Sequence, residues 1–389
     1  MLLTRRTLLK SSALMGTGLA IKPAAAEAAV SDSGLASEIG DAARSAIRSG
    51  ACPGVAVHIS LRGRSLLSNN YGLANIETAS GLAGGSVFRI GSLTKQFTAA
   101  LVVKLASDGK LDLDDAVSKH LACFAGSPSF TVRELLNHTA GLHSDEQNVS
   151  CQTDLARPKS QMALAQEISA QSVLFDFEPG TAWLYSNANY IVLGAVIETL
   201  TAMSLADAAA AMIFKPLGLD KTAFDSSDAV VLGRVDGYSP VDGSPGAFTH
   251  PAFIEISEAG GAGAMRSAAT DLGRWHHALF ANRLFDGRFV DLMITPGRLR
   301  DGRLSGENRF SPDDASYGEV QYGMGLLVSP SSQAHRSVLH YGFINGFSAF
   351  LETFIEARLT TVVLCNGDVG PALPFRAVRK IVSARILKS

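Results

Sequence analysis

The chain reads as a mixed α/β (α+β type) protein: a sheet built from both chain ends, with a mostly helical middle inserted between them. Two observations predict this. Apolar residues alternate near the N-terminus at Val55, Val57, Ile59 and Leu61, and strand-like patterning returns only near the C-terminus, in Phe347–Phe354 and the β-branched run Leu359–Cys365. Between about residues 100 and 330 the pattern is mainly that of helices and loops. If both ends contribute to one sheet, the middle must pack beside it, and the natural place for a binding cleft is between the two lobes.

The elements follow in order. Leu35, Ile39, Ala42, Ala43 and Ile47 recur at helical spacing, and Gly50 stops that helix before Pro53-Gly54. The strand through Val55–Leu61 meets the turn Arg62-Gly63-Arg64, and a second strand returns from Leu66. Residues 93–109 read as a helix. Residues 374–386 read as a closing helix with basic residues on one face. The cluster Gly260-Gly261-Ala262-Gly263 lacks the strand, third glycine and acidic residue of a dinucleotide site and reads as a tight loop near the cleft.

With 389 residues, 47% hydrophobic and 18% charged, the chain can bury one large core or two lobes. A formal net charge of -2 and no sustained run of Lys and Arg argue against nucleic acid and for a small-molecule or peptide substrate. No feature specifies an oligomeric state. The opening Thr4-Arg5-Arg6-Thr7-Leu8-Leu9-Lys10 precedes a mildly apolar stretch that ends in Ala24-Ala25-Ala26. This pattern is that of a twin-arginine export signal spanning residues 1–26, which directs residues 27–389 to the periplasm or the exterior. The stretch is shorter than the roughly 20 apolar residues needed to span a bilayer, and no later segment is long and apolar enough. Cys52, Cys123, Cys151 and Cys365 are widely spaced and make no metal site; a Cys123–Cys151 bridge and buried free thiols are both open.

Three short motifs carry the chemistry: Ser92-Leu93-Thr94-Lys95, Tyr185-Ser186-Asn187 and His340-Tyr341-Gly342. A Ser-x-x-Lys match is weak alone, and the chain holds another at Ser107 to Lys110. Ser107, however, ends a helix, whereas Ser92 follows an extended stretch and a glycine at a helix start. There the backbone N–H groups and the helix dipole favour a developing anion. Lys95 lies one turn on, on the same face, where burial disfavours its ammonium form and lets it accept the Ser92 proton. The alternative is an N-capping Ser92 beside a solvated Lys95. The other two motifs favour chemistry. Tyr185 offers a phenol for proton relay, and Asn187, two residues on as on a strand or turn, an amide for Lys95 and the substrate. His340 and Gly342 are expected on an edge strand, where the Phe343 N–H joins the Ser92 N–H as an oxyanion hole. His138 and His143 flank Thr139-Ala140-Gly141, and His276-His277 reads as a helical pair with one ring in and one out.

The segments RIGSLTKQFTAALVVKL, FTVRELLNHTAGL, FEPGTAWLYSNANYIVLGAVIE, FKPLGLDKTAF, GGAGAMRSAATDLGRW and HYGFINGFSAFLE resemble the serine β-lactamase-related hydrolases. That group includes class C β-lactamases, penicillin-binding DD-peptidases, D-aminopeptidases and esterases. The resemblance runs from about Ala51 to Asp368. It implies a β-lactamase-like fold, an antiparallel sheet from both chain ends flanked by helices beside an all-helical domain, with Ser92 as nucleophile, Lys95 as base partner, and Tyr185 and Asn187 as the second element. Lys95 and Tyr185 are then a coupled pair, and which is the acylation base is open. One departure is His340, where β-lactamases of this group usually carry lysine; it argues against efficient β-lactam hydrolysis. Bulky Tyr341 is expected to reshape the acyl pocket. The absence of a Gly-x-Ser-x-Gly elbow, a His-Glu-x-x-His motif or a phosphate loop implies no α/β-hydrolase, metal, nucleotide or other cofactor. The reading is an exported serine hydrolase acting through a Ser92 acyl-enzyme, on an amide of the D-amino-acid peptide or peptidoglycan type. The alternatives are an esterase or β-lactamase of the same family, and a non-catalytic protein that binds peptidoglycan fragments.

Overall fold

The computed structural model describes residues 32–143, 157–312, 319–330, 335–368 and 374–387. The export signal and Cys151 lie outside the described residues. Its strands, in chain order, are β1 (Gly54–Leu61), β2 (Arg64–Asn75), β3 (Ser80–Gly81), β4 (Phe88–Arg89), β5 (Ala223–Phe224), β6 (Ser239–Pro240), β7 (Phe248–Thr249), β8 (Met265–Ser267), β9 (Gln321–Tyr322), β10 (Leu327–Val328), β11 (Ser337–Ile344), β12 (Phe347–Phe354) and β13 (Leu359–Cys365). Eight of them form one sheet in the order β3-β2-β1-β13-β12-β11-β10-β9, with every neighbouring pair antiparallel. β1 therefore sits beside β13, with Val57 opposite Val363, so the two chain ends close one sheet as the patterning predicts. β1 and β2 are joined by Arg62-Gly63, both at positive φ, the backbone of a tight two-residue hairpin turn.

The helices are α1 (Asp32–Arg48), α2 (Thr94–Ser107), α3 (Val132–Leu136), α4 (Gln161–Ser169), α5 (Asn187–Thr201), α6 (Leu205–Ala209), α7 (Lys215–Leu217), α8 (Gly260–Gly263), α9 (Ala269–Phe280), α10 (Gly287–Met293) and α11 (Phe375–Val382). The period of two in β1 divides the core. Val55, Val57 and Ile59 join a cluster with Leu35 and Ile39 of α1 and Phe375 and Val378 of α11. Ala56 faces the larger cluster, which contains α2, α5 and Trp275 of α9. α2 is apolar almost all round because it runs through that core, with Phe97, Leu101, Val102 and Leu105 fully buried. A site at its N-terminal end therefore rests on a rigid element.

Strands return earlier than the patterning predicts. β9 and β10 are two residues each, too short to show a period, yet they extend the sheet beyond β11. β4, β8 and β5 form a second small sheet within the middle of the chain. The glycine cluster is α8, a helical turn rather than a loop: a Cβ at Gly261 would lie 2.4 Å from the Tyr190 carbonyl oxygen, so only glycine lets it pack on α5. α9 buries His276 fully and leaves His277 half-buried, as its spacing implies. Cys52, Cys123 and Cys365 are free thiols. Among the described residues no single helix is long and apolar enough to cross a membrane.

Candidate active site

Ser92 lies in a 3-10 turn, Gly91–Leu93, that leads directly into α2. Two glycines bring β11 against this turn. Gly91 has φ +49, and a Cβ on it would lie 2.7 Å from the Phe343 amide nitrogen; one on Gly342 would lie 2.0 Å from the Ile90 carbonyl oxygen. The buried Thr94 hydroxyl locks the turn, donating to the Gly91 carbonyl at 2.7 Å and accepting from the Met265 N–H at 3.1 Å. Ser107, the serine of the second Ser-x-x-Lys match, is the last residue of α2 and donates to the Lys104 carbonyl.

Lys95 is fully buried, one turn beyond Ser92. Its Nζ lies 3.1 Å from Ser92 Oγ, 2.7 Å from Asn187 Oδ1 and 3.0 Å from the Ala262 carbonyl oxygen. The amide and carbonyl oxygens can only accept, so each fixes one N–H of the amine. Ser92 Oγ is the one of the three that can also give a proton: the third position on Nζ is either an N–H donated to Oγ or a lone pair facing its O–H. Asn187 is placed by the start of α5 rather than by a strand or turn, and Ala262 by α8. The ring of Tyr185, in the extended segment before α5, lies with its centroid 4.7 Å from Nζ.

β11 is an edge strand only in part. Its first residues pair with β10, Val338 opposite Val328 and Leu339 opposite Leu327, and beyond Leu339 the pairing ends. The two-residue connection to β12 makes Ile344 and Phe347 a hydrogen-bonded pair. Alternation then sends the N–H groups of Tyr341 and Phe343 off the open edge, toward the Ser92 turn. Ser337, of the same parity, exchanges bonds with Ser329 on that side: its N–H donates to Ser329 Oγ at 2.7 Å and its carbonyl accepts from the Ser329 N–H at 2.9 Å. The Tyr341 ring packs on Phe350 and on Phe375 of α11, on the face opposite His340, so it does not shape an acyl pocket as expected from its bulk.

His340 is buried and neutral. Its Nδ1 lies 2.5 Å from the Tyr341 carbonyl, which can only accept, so Nδ1 carries the proton and Nε2 accepts from the Tyr322 hydroxyl at 3.1 Å. Burial, aided by the positive charge of Lys95, pushes its pKa down to about 3. His138, at φ +61, is also fully buried; its Nδ1 accepts from the Ser186 N–H at 3.2 Å and the Asn189 amide at 3.1 Å. Burial and then Lys95 hold it far below the ordinary histidine range. Its ring lies 4.5 Å from that of Tyr185 and 4.6 Å from that of Tyr322. His143 is more exposed and pairs with Asp176 at 2.7 Å.

The structure thus gathers Ser92, Lys95, Tyr185 and Asn187, with His340 and the Gly342–Phe343 backbone on one flank. Sequence reasoning missed Tyr322, Tyr190, whose ring centroid lies 5.7 Å from Lys95 Nζ, and the Ala262 carbonyl. Only the glycine cluster hinted at the last, because a backbone this close to a helix needs small residues.

The sequence matches the family model described as Beta-lactamase over residues 35–385. It is 28% identical over 324 residues to penicillin-binding protein 4* of Bacillus subtilis (strain 168), covering 79% of this chain and 66% of that relative. The chain therefore spans just under two thirds of that protein's length. Among solved structures, a D-stereospecific amidohydrolase from Streptomyces sp. superposes with a TM-score of 0.72 at 26% identity, covering 91% of this chain and 99% of that one. The D-amino acid amidase of Ochrobactrum anthropi SV3 superposes with a TM-score of 0.71 at 24% identity, covering 91% and 98%, a likeness of fold.

Proposed function

The chain belongs to the β-lactamase family of serine hydrolases, and on that premise we propose that it hydrolyses small amides of D-amino acids or D-amino-acid peptides through a Ser92 acyl-enzyme. The observation that carries this reading is the three-way hold on Lys95 Nζ by Ser92, Asn187 and Ala262. In its amine form Lys95 keeps an N–H on each of the two carbonyl-type oxygens and turns its lone pair to the Ser92 hydroxyl. Ser92 Oγ bonds to the substrate carbonyl carbon as its proton passes to Lys95, with Tyr185 coupled to the transfer. The N–H groups of Ser92 and Phe343 hold the oxyanion. The C–N bond then breaks as the leaving nitrogen takes that proton, and water, activated by the same pair, attacks the ester and frees Ser92.

The neutral His340 adds to this reading. Lysine at that position would offer a fixed positive charge to a substrate carboxylate, and His340 offers none. That favours amide substrates such as D-phenylalanine amide over β-lactams, whose carboxylate would go unmatched here. The twin arginines Arg5 and Arg6 support export, which would set the enzyme among cell-envelope peptides. The test is a panel: D-phenylalanine amide, its L enantiomer, a D-alanyl-D-alanine peptide, a p-nitrophenyl ester and a chromogenic cephalosporin, each with the wild type and Ser92→Ala. The expected result is Ser92-dependent hydrolysis of D-amides at a kcat/KM above that for the L enantiomer and the cephalosporin. A faster cephalosporin, or D-amides left intact while the ester turns over, would overturn the substrate assignment.

A further inference from the structure

A second cluster of buried charge lies on the small sheet that leads into the Ser92 turn. Arg89 of β4 and Arg266 of β8 are paired across strands, and both converge with Arg234 on Asp225, whose side chain is fully buried. One oxygen of Asp225 accepts from Arg89 Nε at 3.0 Å and Arg234 Nη1 at 2.9 Å; the other accepts from Arg234 Nη2 at 2.9 Å and Arg266 Nη1 at 3.1 Å. Four donors fill the acceptor sites of one carboxylate. Arg234 is held through both Nη atoms, since its Nη2 also donates to the Ser226 and Ala229 carbonyls. Arg89 and Arg266 are not: among the described residues, neither Nη of Arg89 nor Nη2 of Arg266 has a hydrogen-bond partner, and Arg266 Nε is buried without one.

Three arginine side chains, 18%, 27% and 19% exposed, thus share one buried carboxylate. They line a cavity of about 320 Å³ whose apolar walls include Val235, Phe253 and Phe347. The other carboxylate on its lining, Asp236, is exposed and bonded to Asn75. Partly desolvated cations with unfilled donors beside an apolar cavity are a receptor for an anion with an apolar body.

We propose that this cavity binds a small organic carboxylate, the oxyanion on Arg89 and Arg266 and the apolar body against Val235, Phe253 and Phe347, at a site separate from Ser92. It does not depend on the reaction proposed above. Arg89 lies three residues before Ser92, and β8 holds Thr94 through the Met265 N–H, so an occupant would brace the strands behind the nucleophile.

The test is titration calorimetry of full-length Ser92→Ala protein with phenylacetate, its neutral isostere phenylacetamide, and inorganic phosphate. Phenylacetate is expected to bind at least tenfold more tightly than phenylacetamide. Arg89→Gln and Arg266→Gln should each weaken it by at least tenfold, with Arg266→Lys intermediate. Phe253→Ala, an exposed change that spares the ion pairs, should weaken it several-fold. No binding, equal binding of the amide, or binding undiminished in both Gln variants would overturn the proposal, and binding of phosphate alone would overturn the carboxylate assignment. Labelling of wild-type Ser92 by an activated ester should remain stoichiometric in saturating phenylacetate; competitive protection would place the ligand at Ser92 instead and overturn the separate site.

Discussion

Lys95, fully buried, and the half-buried Arg89–Arg234–Arg266 cluster both place positive charge near the start of α2, but they are held in opposite ways. Lys95 is gripped by a hydroxyl, an amide and a backbone carbonyl, all neutral. The arginines are gripped by a carboxylate. Burial alone would raise the pKa of Asp225, but the bonds and charges of Arg234 and Arg89 hold it below the usual carboxylate range. Neutral dipoles stabilise an ammonium less than a counter-ion does, so an amine held this way is the better placed of the two to exchange a proton with a neighbouring hydroxyl. A guanidinium on a carboxylate cannot. One arrangement lets charge move; the other pins it.

Removing each charge should break the two regions differently. The largest effect is on rate: Lys95→Met should lower kcat by about 10²–10⁴-fold, the range for loss of a positioned proton acceptor. The same change should cost about 1–3 kcal/mol of stability, because the buried cation goes but the Asn187 and Ala262 oxygens lose its N–H groups. A Lys95→Met enzyme that keeps wild-type kcat would remove the distinction. Asp225→Asn should do the reverse. It leaves three guanidiniums without their counter-ion and should cost about 3–5 kcal/mol of stability in urea melts. Unchanged stability would mean that the arginines are not pinned by that carboxylate.

A further contrast concerns the buried histidines. Burial lowers His340, beside Lys95, to about 3, and lowers His276 to about 3 and His58 to about 4 elsewhere in the fold. In the unfolded chain each titrates near 6.5. Between those values the unfolded state binds protons that the folded state does not, so stability is complete above pH 6.5 and falls as the solution is acidified toward 4. The slope is about 1.4 kcal/mol per pH unit for each histidine once well below pH 6.5. His276→Gln should flatten it by one histidine's share. A flat profile from pH 6.5 to 4.5 would show that these rings protonate in place.

Much of this site was legible in the chain because its central contact is local. Ser92 and Lys95 are one turn apart, and any helix starting near residue 92 brings them together. Asn187 is distant, but an amide two residues after a tyrosine gave enough pattern to anticipate its bond to Lys95. The strands at the two ends announced themselves by period. The Ala262 carbonyl, by contrast, is backbone and has no side-chain signature. Tyr322 sits in a two-residue strand with no period to read, and His138 matters through ring packing that spacing does not encode. The Asp225 cluster joins residues 89, 225, 234 and 266, each an ordinary surface charge until β4, β5 and β8 pair. Tyr341 was misjudged for a related reason: alternation gives it the face opposite His340, and only α11 on that face decides what it touches.

The most direct test is intact-protein mass spectrometry after rapid mixing with an activated D-phenylalanine ester and quenching in acid, followed by peptide mapping. The account predicts one D-phenylalanyl group per molecule, on the peptide containing Ser92, formed in a burst before steady turnover and absent from folded Ser92→Ala. Turnover with no adduct on that peptide, or equal turnover by Ser92→Ala, would contradict it.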